Sequence, residues 1–431
     1  MKKRVVVIGG GVSGLSAASS LVRMGCKVIL LEAKNHFGGR IHTVKIGKLP
    51  VELGAEFLHG ESQTITNAIL AAGLSTHAIA ENYQIFQQGQ FKHMNFLDKM
   101  SKIIHRVDIH RRDCSFEEFL DIQNLNIADR EQAVGFVEGY HAAQPRHISA
   151  HSLRRGESAA ERMPSTKQSR INEGYGALVD FLEREIQTHG GKLLTNAFVE
   201  KVRWQPGRVE VAFRHEDRKI STEADAAVIT LPLGVLKAGA VEFQPPLDDK
   251  REAIEQLRFG NVIKVIFEFS GRWWPEFGFI VAPDEVFPTW WTDPRGPVLT
   301  GWAGGPKADL LLKYSPAQLE QFGLKTVALL FPGRAGKIQE RFVSAHTFNW
   351  TDDPCTRGAY SYLPVNGLDL PKSLGAPVAG TLFFAGEATV TDAQTGTVFS
   401  AFETGLRAGR ELLATIADTS PLAVLPPQKV S

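Results

Sequence analysis

Cysteine is scarce in this chain. Three occur in 431 residues, Cys26, Cys114 and Cys355, too far apart for a metal-ligand spacing. That scarcity argues against a disulfide framework and fits a reducing compartment, so a cytoplasmic location is expected and no metal site is. No run of about 18 apolar residues occurs, so no membrane-spanning helix is expected either. Neither sign of charge dominates: 48 Lys and Arg against 47 Asp and Glu leave a formal net charge of +1, which gives no general attraction to nucleic acid or to an anionic membrane. The length calls for two or three structural units, in a monomer or a homodimer.

What is present begins at once. The opening "MKKRVVVIGGGVSGLSAA" has the basic end and apolar core of a signal peptide, but glycines at 9, 10, 11 and 14 and a charged continuation read better as a first strand and turn. "RVVVIG" is the continuous β-branched run of a strand covered on both faces. Gly9-x-Gly11-x-x-Gly14 follows, then a helix of small residues and a second strand, "KVILLEA". Gly9 permits the tight turn, Gly11 leaves room for a pyrophosphate at the helix N-terminus, and Gly14 lets helix and strand approach. Glu32, 18 residues beyond Gly14, ends the second strand, where its carboxylate can accept both hydroxyl protons of an adenosine ribose and would repel a phosphorylated one. A bound dinucleotide is the expectation. Gly38, Gly39 and Arg40 come directly after, and Arg40 either meets the pyrophosphate with its rigid donor fork or faces solvent.

"VIGGGVSGLSAA", "LLEAKNHFGGRIHT", "ELGAEFLHG" and "LFFAGEATVTDAQTGTVFSAFETGLRAG" together resemble the flavin-containing amine oxidases, a family that includes monoamine oxidases, polyamine oxidases and histone lysine demethylases. The likeness runs in order from residue 4 to about residue 414 and is weakest from about 80 to 170. It implies an α/β fold: a Rossmann-like FAD-binding domain assembled from discontinuous segments, with an α+β substrate-binding domain built on a mixed sheet. The FAD-binding segments expected are 1–78, 172–250 and 379–416. The substrate domain takes a helical part, 79–171, and a sheet part, 251–378; 417–431 is a proline-rich, disordered tail. Within these, Ser115 and Glu118 read as a helix capping box, 151–170 as a polar exposed connection, and 208–224 as a hairpin.

Lys264 interrupts the strand "VIKVIFEF", where Val262, Lys264, Ile266 and Glu268 share one face. The residues alone leave two readings, an edge strand with its lysine in water or a buried ammonium that needs a partner. The resemblance implies a lysine directed at the flavin N5 and holding a water there. It further implies that Ala55, Glu56, Phe57 and Leu58 run beside the flavin and that the backbone of Val199 meets the adenine end. Gly386 and Glu387 would lie near the ribityl chain and pyrophosphate, the carboxylate accepting a ribityl hydroxyl or a backbone N–H. The N–H groups of Thr397 and Val398 would face the electron-rich edge of the ring.

Three departures from the monoamine oxidases matter. Ala359 stands where those enzymes attach FAD through cysteine, so a noncovalent FAD is expected. Tyr360 matches the first tyrosine that frames the amine, whereas the second falls at Thr397, leaving Trp350 or Tyr362 to complete the frame. A C-terminal membrane anchor is not expected. "GAEFLHG" is similar to the polyamine oxidase motif that places a histidine, here His59, near the mouth of the substrate tunnel. Glu56, Glu61, Glu138 and Glu173 are the carboxylates considered for a cationic substrate. The expected reaction is oxidation of an amine C–N bond with O2 as acceptor, on a polyamine or related secondary amine. A primary monoamine is the next choice, then an amino acid clamped by Arg146 or Arg357. A catalytically silent flavoprotein that binds a partner is the alternative of another class.

Overall fold

The computed structural model describes residues 3–80 and 82–418. Its centre is a five-stranded parallel sheet in the order Lys192–Leu194, Lys27–Leu31, Arg4–Ile8, Ala226–Ile229, Leu382–Phe384. Strands from three separate stretches of the chain thus share one sheet. The unbroken apolar run of Arg4–Ile8 follows from its position, because both faces are covered. Val5 and Val7 pack with Leu15 and Leu21 of helix Val12–Arg23, with Leu178 of helix Tyr175–Thr188 and with Phe402 of the last helix, Val398–Asp418. Val6 and Ile8 pack on the other side, against Val202, Val209 and Val211 of a four-stranded sheet. That sheet holds the expected hairpin, Arg208–His215 with Arg218–Ala224, turning through Glu216 and Asp217 at positive φ.

The second unit is a seven-stranded mixed sheet in the order Phe342–Thr347, Val262–Phe269, Val298–Gly304, Thr289–Thr292, Phe279–Val281, Tyr83–Gln87, Gln90–Met94. Only Phe279–Val281 and Tyr83–Gln87 run parallel. Val262–Phe269 lies inside, antiparallel to both neighbours, so its alternation becomes a division of labour. Ile263, Val265, Phe267 and Phe269 enter an aromatic core with Trp273, Trp274 and Trp290, while Val262 and Lys264 face the main cavity.

Several expectations need correction. Residues 79–171 are not only helical, since they give the outer hairpin of the seven-stranded sheet. The expected exposed connection is confined to residues 161–167, mostly exposed; it lies between helix Ala150–Ala160, which Ser149 caps and which buries Ala150, Leu153 and Ala159, and strand Gln168–Ile171. The start of the helix is held inward at Asp113, which accepts from the Ser149 hydroxyl and the His151 N–H. Helices Gly305–Leu311 and Pro316–Leu330 stand within a stretch read as mainly strands, and "KIQER" closes helix Ala335–Arg341 before strand Phe342–Thr347 begins. The Ser115 capping box is present. The last helix runs to Asp418, and the rest of the expected tail lies outside the described residues.

Candidate active site

One cavity of about 1070 Å³ runs from the glycine turn to the seven-stranded sheet. At its nucleotide end, Gly9 has φ +104°, and a Cβ on Gly14 would stand 1.9 Å from the Gly9 carbonyl oxygen, so helix and turn are as close as a glycine permits. A Cβ on Gly11 would meet only the Gly39 Cα, at 3.9 Å, which leaves the helix N-terminus open to the cavity. Gly11 is also the N-cap and makes no side-chain cap bond, so the first-turn N–H groups suit a phosphate. Glu32 is anchored by accepting from the N–H groups of Gly10 (2.6 Å) and Lys34 (2.8 Å), and burial pushes its carboxyl up. Oxygens held in this way suit hydroxyl donors, so the residues fit the adenosine diphosphate part of FAD. Gly39, Val199 and Gly386 line the same cavity. Gly14 does not, because it serves the helix–strand contact.

Arg40 is not solvent-facing. It donates to the Ala359 carbonyl oxygen (2.7 Å) and to Glu387 (2.9 Å). The other Glu387 oxygen accepts from the Ser361 hydroxyl (2.6 Å) and the Gly396 N–H (3.0 Å), so of the two expected roles the structure shows the backbone-accepting one. Gly396 must remain glycine, since its φ is +76° and a Cβ would lie 2.7 Å from the Tyr360 ring.

The reactive end is built around Lys264, which is 4% exposed. Its ammonium donates to the carbonyl oxygens of Glu52 (2.7 Å) and Gly54 (2.9 Å) and to the Glu56 carboxylate (2.9 Å). Three acceptors match its three N–H donors, so a water held toward the flavin would share a donor already engaged. The edge-strand reading is excluded by the two flanking strands. The other Glu56 oxygen accepts from Arg170 (2.8 Å) and from the Trp291 indole (2.9 Å). Burial alone would push the Glu56 carboxyl up, but Lys264 and Arg170 hold it below the usual range. Glu56 lines the cavity, yet its carboxylate is committed to these cations and not to an amine.

Aromatic rings form the walls. Phe57 lies edge-on to Trp291 and His59, and the Tyr140 hydroxyl lies 3.0 Å from His59 Nδ1. Tyr360 donates to the Tyr140 carbonyl oxygen (3.1 Å). Dense surroundings push His59 down to about 4, and His141 likewise, so both rings are neutral near pH 7. Trp350 and Tyr362 line the cavity too, with the Trp350 indole bonded to the Leu53 carbonyl oxygen.

One expected role changes. Leu58 points into the core beside Ile171 and does not line the cavity. Thr397 and Val398 do line it, and the Thr397 hydroxyl accepts from the Ser400 N–H (3.3 Å), capping the last helix. Of the carboxylates considered for a cation, Glu56 and Glu138 line the cavity, whereas Glu61 and Glu173 are exposed outside it. Arg146 and Arg357 lie outside it as well. The sequence reading missed Arg170, Trp291, Trp302, Tyr140 and His141. Three polar residues in a row in "QSRI" gave no sign of the strand that buries Arg170.

The family model for flavin containing amine oxidoreductases matches residues 12–126 and 96–413. Polyamine oxidase 3 of Oryza sativa subsp. japonica is 30% identical over 94% of this chain and 88% of its own length. Polyamine oxidase 2 of Arabidopsis thaliana is 28% identical over 94% and 87%. A solved putrescine oxidase bound to putrescine shares the fold, with a TM-score of 0.80 at 19% identity over 96% of this chain and 99% of that one. No described helix is long and apolar enough to cross a membrane. A glycine turn and a buried lysine on one continuous cavity agree with these matches, and the chain belongs to the flavin containing amine oxidoreductase family.

Proposed function

We propose that the protein oxidises the C–N bond of a polyamine or related secondary amine, with O2 as acceptor. The balance is amine, O2 and water giving aldehyde, shortened amine and H2O2. FAD, which the glycine turn at Gly9 and Gly11 and the Glu32 carboxylate would hold, would supply the two-electron redox chemistry between amine and O2. The observation that carries this reading is the continuity of a nucleotide cradle with an aromatic chamber whose floor is a buried lysine.

The chain's own residues bind, orient and exclude water. Phe57, Trp291 and Tyr360 offer ring surface to an alkylamine chain, and holding its C–H in place removes orientational freedom before reaction. A free alkylamine has a pKa of about 10 and reacts as the neutral base, and apolar walls favour loss of its proton. His59 and His141, both neutral, add no positive charge against the amine. Glu138, whose carboxyl burial pushes up while Lys307 opposes that shift, is assigned to a second ammonium along the chain. FAD is held without a covalent bond in this reading. Ala359 offers no thiol, and Cys355, which feels the charges of Asp353 and Glu32, belongs to the ribose end. An amino-acid substrate is disfavoured by the positions of Arg146 and Arg357.

Anaerobic mixing with spermidine, spermine, benzylamine and neutral amino acids, followed by flavin absorbance, tests the proposal. Bleaching by spermidine or spermine is expected. Bleaching by amino acids alone would overturn it.

A further inference from the structure

The acceptors around Lys264 come from one short stretch. Residues 52, 54 and 56 alternate along it, supplying two carbonyl oxygens and one carboxylate to the same ammonium. Only the carboxylate brings charge. Its side chain is 10% exposed, against 5% for Arg170 and 4% for Lys264.

We propose that Glu56 is the positioning residue of this site, holding Lys264 as a fixed ammonium aimed along the cavity floor. The inference rests on the amine-oxidation reading and adds a division of roles within it. An ammonium with three engaged donors and a paired carboxylate has no lone pair to offer, so Lys264 is not the base that takes the substrate's proton. Arg170 and the Trp291 indole both bond the Glu56 oxygen that Lys264 does not use, which fixes the carboxylate's rotation. Arg170 is itself seated over the Phe57 ring, 4.8 Å from its centroid. The network joins the stretch after strand Leu49–Glu52, strand Gln168–Ile171, and strands Val262–Phe269 and Thr289–Thr292.

The charged groups facing this centre are few. The Glu52 carboxyl is pushed up to about 7 by burial, so it is a partial counter-charge at best near neutral pH. Arg295 and Asp293 pair with each other behind Arg170. Glu56 therefore carries the compensation for Lys264. With it neutralised, the ammonium keeps only the two carbonyl oxygens and loses the one charged group that fixes its direction.

A double-mutant cycle on the holoenzyme tests this, using Glu56→Gln, Lys264→Met, the pair, and Glu56→Asp. The melting midpoint and the rate of anaerobic flavin reduction at saturating spermidine, at matched cofactor content, are the two readouts. E56Q should lower the midpoint by about 5 °C and slow reduction by about 10-fold. In the K264M background the same change should cost at most half as much in midpoint and slow reduction no further. E56D, which keeps the charge, should retain most of the wild-type rate. Equal effects of E56Q in both backgrounds, or equal rates for E56D and E56Q, would overturn the assignment. Failure of the amine-oxidation reading shows separately, as no bleaching by any amine in the wild type, and the midpoint cycle then decides the inference alone.

Discussion

The two ends of the cavity are made of different material. The nucleotide end is backbone: a glycine turn, a helix N-terminus and one carboxylate clamped by N–H groups within a few residues of itself in the chain or sheet. The reactive end is side chain, with Lys264, Glu56, Arg170 and Trp291 drawn from four distant stretches. Backbone sites tolerate no Cβ where the chain packs on itself, whereas side-chain sites fail through lost partners and stranded charge. The two should therefore break in different ways.

The largest effect belongs to the nucleotide end. A Gly14→Val change puts carbon where the Gly9 carbonyl oxygen stands, so the purified protein should carry no flavin absorbance. Full retention of cofactor would show that the turn relaxes and that the close approach is dispensable. At the reactive end, Lys264→Met should keep the cofactor yet slow anaerobic flavin reduction by about 10²-fold. Loss of both together would blur the distinction between the ends.

A smaller contrast lies in pH. His59 and His141 are pushed down to about 4, below the ordinary value of about 6.5 that they regain on unfolding. Between these values the unfolded chain binds more protons, so stability is full above about pH 6.5 and falls as pH drops toward 4. Replacing both with glutamine should flatten the melting midpoint across that window; an unchanged slope would place the acid sensitivity elsewhere. The smallest effect is expected from Tyr360→Phe, which removes one hydrogen bond to the Tyr140 carbonyl oxygen and keeps the ring. A loss of about fivefold in the reduction rate corresponds to about 1 kcal/mol.

The same difference in material decides what could be read from the residues alone. The glycine turn, Glu32 and the buried first strand were legible because each rests on local conformation or on a short fixed spacing. Lys264 was visible as a break in an apolar alternation, though its burial depended on which strands flank it. Glu56 was placed beside the cavity, but the partners of its carboxylate were not legible, because they stand 114, 208 and 235 positions away. Arg170 was lost with its segment: the polar stretch 151–170 reads as exposed throughout, and 161–167 are mostly so, whereas Arg170 is buried by its pairing with the distant Glu56. Thr397, which stands where the second framing tyrosine falls, lines the cavity, and its hydroxyl also serves the local need of a helix start, which alignment alone does not show.

In the proposed function a buried, fully bonded ammonium governs the chemistry of the cavity. The most direct test is the rate of anaerobic flavin reduction by spermidine in the wild type and in K264M at matched cofactor content. A rapid wild-type reaction slowed about 10²-fold by the substitution is the predicted result. Equal rates in the two proteins would contradict it.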